Sequence, residues 1–218
     1  MSTTKLGLAI LAALAITITG AASAQAAVFT AAEYPAFVSA EPASAGSPAF
    51  GFESGQTAEC EFAGFGGEMS AATSGLSLSP GLGGCTAFGA EASIEPNGCE
   101  FTFHPGSGSG DKFTGTFDIT CPTGKKIVVT GNTCEVQIGA QTGLAGVVYE
   151  KLTAAEPHEV EAAFQVEAAS GFTYTKAVDG ASCPLAGTGV KTDGSISGGL
   201  KVKAGNVETL EPIAFGIE

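Results

Sequence analysis

The sequence contains no tryptophan and no arginine, and only 14% of its 218 residues are charged. All nine basic residues are lysines, and 22 acidic residues bring the net charge to −13. Without a guanidinium group the chain cannot make bidentate contacts to phosphate or guanine, and its net field repels polyanions. These absences exclude nucleic-acid binding.

Histidine is scarce as well, and the two histidines offer little for catalysis. His104 is followed by Ser107, Ser109 and Asp111, which are the residue types of a catalytic triad. A flexible glycine-rich loop cannot hold those side chains in reacting geometry, and no G-x-S-x-G nucleophile elbow is present. We therefore assign no catalytic residue, and we interpret His158, which lies among glutamates, as a surface residue.

The sequence lacks the usual patterns of metal and cofactor sites. The cysteines form no C-x-x-C pair, and the four aspartates stand apart from one another, unlike those of a calcium loop. Residues 123–126 resemble part of a phosphate-binding loop, but Ile119 stands where a P-loop needs a glycine, five residues before its second glycine. The sequence predicts no metal and no cofactor.

The N-terminus has the pattern of a secretory signal peptide. Lys5 precedes an apolar run over residues 6–19, and residues 22–26 offer two small-x-small cleavage sites. The run is shorter than the about 20 apolar residues that a membrane-spanning helix needs, and no cysteine near either site could carry a lipid. We predict cleavage after Ala26, in preference to Ala24, and a secreted protein with no membrane anchor after cleavage.

Six cysteines follow the predicted signal peptide, an even number that in an exported chain predicts up to three structural disulfides. A metal site or a reactive thiol is the less favoured interpretation. Six cysteines allow fifteen pairings. One interpretation, with the other fourteen left open, pairs Cys121 with Cys134, Cys85 with Cys99, and Cys60 with Cys183.

From residue 48 onward, short apolar or alternating runs are separated by clusters of glycine, proline, serine and asparagine. This pattern is typical of an all-β fold, here a disulfide-stapled antiparallel β-sandwich or barrel-like unit. The clearest alternation lies at residues 113–120, and the phenylalanines are predicted to pack in the core rather than to form a sugar-binding platform. Further strands are predicted at 76–79, 87–94, 99–103, 127–130, 134–138, 146–152, 186–191, 196–203 and 213–217.

Turn-forming residues separate the predicted strands. Asn97-Gly98 is predicted to join strands 87–94 and 99–103 as a hairpin, since both residue types tolerate positive φ. Residues 104–110 are predicted to form a flexible glycine and serine loop. Other turns are predicted at Pro80-Gly81, 139–143 and 192–194.

Residues 157–167 fit two secondary structures. Their alanine and glutamate content and the initial Pro157 favour a short helix. The alternation of Val160, Phe164 and Val166 with polar residues favours a half-buried strand, and we predict a strand.

About 190 residues remain after the predicted signal peptide at 1–26, enough for a sizeable core. The mean hydropathy of +0.27 excludes intrinsic disorder. We predict one β-rich domain over residues 27–218, with a division near 105–110 as the alternative.

Four short motifs carry a family resemblance: GCTAFG at 84–89, NGC at 97–99, GAQTGL at 139–144 and CPLAGTG at 183–189. Together they resemble a family of uncharacterised secreted proteins of high-GC Gram-positive bacteria, often present in several copies per genome. The resemblance implies an exported β-rich protein with the same cysteine framework. It brings no reaction, ligand or catalytic residue.

These features predict a secreted, extracellular, non-enzymatic binding or structural module, with a cell-wall, surface or other extracellular ligand as its partner. One alternative is a secreted hydrolase whose site is assembled from distant residues, with His104, Asp111 and a glutamate as candidates. The other is a secreted inhibitor or effector, in which disulfides stiffen an exposed loop and reduce the entropy lost on binding.

Overall fold

A computed structural model of the protein describes residues 27–43, 48–152 and 162–218. The predicted signal peptide and residues 157–161 of the ambiguous segment lie outside these ranges. The described residues form fifteen strands and a short 3-10 turn, Glu53–Gly55. The strands are β1 Phe29–Ala31, β2 Ala36–Pro42, β3 Ala49–Gly51, β4 Thr57–Met69, β5 Leu76–Ala87, β6 Ala90–Glu95, β7 Glu100–Ser109, β8 Lys112–Thr120, β9 Ile127–Gly131, β10 Cys134–Ile138, β11 Gln141–Lys151, β12 Ala162–Asp179, β13 Gly189–Asn206, β14 Pro212–Ile213 and β15 Phe215–Ile217.

The pairings between these strands are antiparallel and close into two rings that share the four longest strands, β4, β5, β12 and β13. One ring adds β2, β7, β8 and β11, and the other adds β3, β6, β9 and β10. β1 and β15 form a separate two-stranded sheet. The all-β prediction is therefore confirmed, and the closure of the sheet corresponds to the barrel-like alternative.

The alternation predicted for residues 113–120 is present in β8. Phe117 and Ile119 are 1% and 0% exposed, and both belong to the apolar core. Most of the described phenylalanines are buried, as predicted, and they contact one another inside the rings. Phe37 and Phe62 are exceptions on the outer surface of the sheet.

The predicted flexible loop at residues 104–110 is wrong. β7 continues to Ser109 and pairs with β8 as far as Lys112, with a bulge between Pro105 and Gly108. The glycines permit close backbone approach here, because a Cβ on Gly108 would collide with the carbonyl oxygen of Lys112. Glycine in this segment therefore lets two strands pack closely rather than adding flexibility.

Two predicted turns are also wrong, because long strands run through them. Pro80 and Gly81 lie inside β5, and residues 192–194 lie inside β13. In both places pairing with neighbouring strands overrides the local turn preference. The turn predicted at 139–143 is shorter than expected, since β11 already begins at Gln141.

The hairpin predicted around Asn97-Gly98 is only half correct. Asn97 and Gly98 form a turn with φ of 53° and 80°, as predicted. The strand predicted at 87–94 is interrupted, because Phe88 and Gly89 take φ of 56° and 79° in a turn between β5 and β6. β7 then pairs with β5 and β8 and not with β6.

The strand chosen for the ambiguous segment is confirmed over residues 162–167, which belong to β12. β12 pairs with β11 and β13 there, and hydrogen bonding to both neighbours stabilises its extended conformation. The predicted last strand is divided into β14 and β15, which pair with β13 and β1 respectively.

All six cysteines form disulfides, as predicted, but the suggested pairing is wrong in all three bonds. Cys60 and Cys85 stand opposite each other on paired strands, with their Cα atoms 3.9 Å apart. Two of the suggested bonds joined cysteines that flank one strand or one hairpin arm, whereas Cys60–Cys85 links the paired strands β4 and β5, and Cys99–Cys121 links the ends of the paired strands β7 and β8. The observed bonds are Cys60–Cys85, Cys99–Cys121 and Cys134–Cys183.

Three disulfides are typical of proteins that fold in an oxidising compartment, in agreement with the predicted export. Among the residues described, no helix has the length and apolar character needed to cross a membrane.

Candidate functional site

The sheet has an opening where β5 changes partners. Its first residues, 76–78, pair with β7, and its last residues, 85–87, pair with β6. Between them, residues 79–83 pair with β4 alone, and Gly84 is paired on neither side. β5 therefore presents an unpaired main-chain edge here, where the C=O groups and, except at Pro80, the N–H groups that face away from β4 are available to a ligand.

A cleft of about 380 Å³ occupies this opening, and we call it the β5–β6 cleft. Its walls are residues 80–85 of β5 and residues 92–96 at the end of β6. The volume lies within the range of about 300 to 1,000 Å³ that is usual for small-molecule sites.

An apolar cavity of about 40 Å³ lies on the inner side of the same sheet, and we call it the phenylalanine cavity. Its lining is almost entirely hydrocarbon, and the polar side chain among its lining residues is Ser197. Five phenylalanines supply most of the aromatic wall: Phe50, Phe65, Phe101, Phe103 and Phe117.

Pro80 and Leu82 line both the β5–β6 cleft and the phenylalanine cavity, so they form the partition between the two spaces. Both side chains are only partly buried. Two other surface clefts have similar volumes, about 440 and 420 Å³, but neither shares a lining residue with the cavity. Continuity with an apolar interior distinguishes the β5–β6 cleft.

The charge around the cleft is negative. Glu95 lies in its wall and accepts a hydrogen bond from Ser93, with Oγ and Oε1 2.8 Å apart. The Glu61 carboxylate lies beside Gly84, where Oε2 would be 3.2 Å from an added Cβ. None of the described lining residues is basic. The cleft therefore favours neutral or cationic groups over anions.

The residues proposed for a catalytic triad do not converge. His104 contacts Asp118 instead of Asp111, with Nε2 and Oδ2 3.0 Å apart. The other ring nitrogen, Nδ1, lies 3.2 Å from the carbonyl oxygen of Ser74. Asp118 also accepts a hydrogen bond from the Gly143 N–H. The His104–Asp118 pair thus connects the loop at Ser74 and the β11 residue Gly143 to the outer face of β7 and β8.

The segment between β12 and β13, residues 180–188, is held at several points. Cys183 bonds to Cys134, and the buried Lys176 donates to the Leu185 carbonyl and, at 2.8 Å, to Asp179 Oδ1. Ala186 N–H donates to Glu53 Oε1 at 2.6 Å. This segment exposes Pro184 and residues 186–188 on a constrained backbone.

Tyr174 and Tyr149 are buried and their hydroxyl groups are hydrogen-bonded. Tyr174 accepts from the Glu53 N–H, and Tyr149 donates to the Thr116 carbonyl. Burial is the main cause that raises the pKa of Tyr174 to about 12, and it also raises the pKa of Tyr149. Both hydroxyl groups therefore remain neutral and structural at ordinary pH.

Among the described residues, no group of three or more histidine, cysteine, aspartate or glutamate side chains has the arrangement of a metal site. Comparisons with protein-family models, with curated proteins and with solved structures gave no match to this chain.

The β5–β6 cleft is not apparent from the sequence, because Pro80-Gly81 has the pattern of a turn that ends a strand. One signal for a longer strand is present: Leu76, Leu78 and Leu82 keep the two-residue period, and Pro80 occupies the position between them. No sequence signal indicated that β5 would change partners in its middle.

Proposed function

We propose that this protein is a secreted, non-enzymatic binding module that acts at or outside the cell surface through the β5–β6 cleft. The observation that carries the proposal is the unpaired edge at residues 79–84, which borders the cleft and backs onto the phenylalanine cavity. Edge backbone groups can bind a polar ligand, and the partition at Pro80 and Leu82 offers apolar contact.

Export is supported by two independent features. The N-terminal residues have the order of a signal peptide, and the three disulfides suit an oxidising environment. The sparse charge, with 14% charged residues, leaves an outer surface rich in serine, threonine and glycine. A surface of that kind suits a neutral or weakly polar partner better than a polyanion.

The test uses two tryptophan substitutions at glycines of neighbouring strands, one that lines the cleft and one that does not. Gly83 lines the cleft and Gly64 lies on the neighbouring β4, and a Cβ at either residue would have no atom within 4 Å. Gly83→Trp should fill the cleft without disturbing the fold, and Gly64→Trp is its control. Both purified secreted variants are incubated with isolated envelopes of the producing cell.

We expect the wild type and Gly64→Trp to be retained on the envelopes, and Gly83→Trp to lose about tenfold or more in affinity. Equal retention of all three proteins would overturn the assignment to the cleft. A wild-type protein that remains entirely free would overturn the surface role itself.

The constrained segment at residues 180–188 favours the inhibitor or effector alternative. It is exposed around Ala186 and fixed by the Cys134–Cys183 disulfide, so little entropy would be lost when it binds. Inhibition of extracellular proteases by the purified protein would support this alternative, provided that Ala186→Trp removes the inhibition.

The pair His104–Asp118 is the observation that favours the hydrolase alternative, since a carboxylate can orient a histidine base. Both ring nitrogens of His104, however, contact oxygen atoms of the protein. If a purified preparation hydrolyses any substrate, His104→Ala should abolish that activity. Unchanged activity in the variant would remove this candidate.

A further inference from the structure

We infer that the β5–β6 cleft and the phenylalanine cavity together bind one small amphiphile, with a short apolar group in the cavity and a neutral or cationic polar end in the cleft. This inference rests on the proposed function and specifies the chemical class of its ligand.

The apolar end follows from the cavity lining. Phe65, Phe101 and Phe117 are at most 9% exposed and surround a space of about 40 Å³ with hydrocarbon. A polar site of roughly 10 to 15 Å³ can hold one water, but an apolar cavity stays dry because water finds no partner there. An apolar group that enters this space therefore displaces no bound water and gains contacts with the aromatic rings.

The size of the apolar group follows from the cavity volume. The space of about 40 Å³ is well below the roughly 150 Å³ of a cavity that accepts benzene. A short alkyl chain fits this limit, whereas a long acyl chain or a ring system would need the core to expand. Leu82 is partly buried and lies in the partition, so a change in its rotamer is the simplest way for a chain to enter.

The polar end follows from the groups that border the cleft. Residues 79–84 of β5 offer main-chain groups that no strand uses on that side. Glu61 and Glu95 place negative charge at the cleft, and no described lining residue is basic. An amine or a hydroxyl group can donate hydrogen bonds to these oxygen atoms, whereas a carboxylate would be repelled.

The experiment measures the binding of primary n-alkylammonium ions with two to eight carbons to the mature secreted protein by calorimetry. We expect the affinity to rise about fourfold for each added CH₂ until the cavity is filled, and then to level off. Hexanoate should bind at least about tenfold more weakly than hexylammonium, because the cleft is negative.

Two variants test the cavity itself. Ile196→Phe places a larger side chain against the cavity and should remove the gain in affinity with chain length. Leu82→Ala opens the partition and should move the levelling-off to longer chains. Leu82 is only partly buried, so its variant should fold even if Ile196→Phe does not.

The outcomes separate this inference from the proposed function. If affinity does not depend on chain length, or hexanoate binds as tightly as hexylammonium, the inference is overturned. If no alkylammonium ion binds while Gly83→Trp still abolishes envelope retention, the cleft keeps its proposed function and the amphiphile is excluded. If Gly83→Trp binds the ions as Gly64→Trp does, the ligand lies elsewhere and the inference is likewise overturned.

Discussion

At the scale of single residues, the buried hydroxyl groups of two tyrosines show how polar atoms are accommodated in an apolar core. Tyr149 and Tyr174 are 0% and 1% exposed, yet each hydroxyl group has a backbone partner. A buried polar group without a partner would cost about 1 to 3 kcal/mol. These bonds keep the tyrosines compatible with burial as long as the hydroxyl groups stay protonated.

The stability of the protein should therefore fall at high pH. An unfolded tyrosine has a pKa of about 10, whereas burial raises the pKa of Tyr174 to about 12. The folded state then holds the proton more tightly. The contribution of Tyr174 to the free energy of unfolding is therefore complete below pH 10 and is lost as the pH rises towards 12. The slope for one tyrosine is at most about 1.4 kcal/mol per pH unit.

The check is urea unfolding between pH 9 and pH 12 for the wild type and Tyr174→Phe. Tyr174→Phe should show a shallower loss of stability across this range, because the tyrosine whose pKa is raised by burial is then absent. Identical slopes for Tyr174→Phe and the wild type would contradict a raised pKa of Tyr174 in the folded protein.

At the scale of the strands, glycine determines how closely β7 and β8 approach. A Cβ on Gly115 would collide with the His104 carbonyl oxygen and would lie 2.8 Å from Cε2 of Tyr149. Neither contact involves the far end of a flexible chain, so the strands would have to separate. The bulge between Pro105 and Gly108 accommodates the same close approach.

Gly115→Ala should destabilise the protein by about 1 to 3 kcal/mol, the usual cost of overpacking. Gly64→Ala is the matched control, since it also lies in a paired strand but would meet no atom within 4 Å. Thermal unfolding of both variants measures the difference. Equal melting temperatures would mean that β7 and β8 do not need the glycine.

Strands with clear alternation and large side chains could be predicted from the sequence. β8 and β10 were located within a residue, because phenylalanine, isoleucine and valine mark one face in each. Strands rich in glycine and proline could not, because β5, β7 and β13 owe their extension to paired neighbours rather than to local preference.

At the scale of the whole molecule, the disulfides close loops of 22 to 49 residues. The Cys134–Cys183 bond spans 49 residues and fixes the segment at residues 180–188 against β10. The Cys99–Cys121 bond spans 22 residues and joins the start of β7 to the end of β8. Each bond restricts the unfolded chain more than it changes the folded one.

Replacing both cysteines of a bond with alanine should lower the free energy of unfolding by about 4 kcal/mol for Cys134 and Cys183, and by about 3 kcal/mol for Cys99 and Cys121. Urea unfolding measures both values, and far-ultraviolet circular dichroism verifies that the variants keep their strands. A double variant as stable as the wild type would contradict the stabilising role of that bond.

The β5–β6 cleft depends on how strands pair across the sheet, so local sequence patterns do not reveal it. The β5–β6 cleft exists because β6 and β7 pair with different ends of β5. The β5–β6 pairing is a local hairpin, but the β5–β7 pairing joins residues that are distant in sequence, such as Leu76 and Phe103. Local patterns report propensity and burial but carry no information about where a long-range pairing ends.

Export, cleavage and surface binding are tested together by the intact mass of the native protein under non-reducing conditions, taken in parallel from medium, envelope and membrane fractions. We expect the mass of the chain from Ala27 less six hydrogens, for three disulfides, concentrated in the envelope fraction. A mass that still includes residues 1–26, free thiols, or a protein found only in the medium would contradict a secreted, disulfide-bonded module that binds at the cell surface.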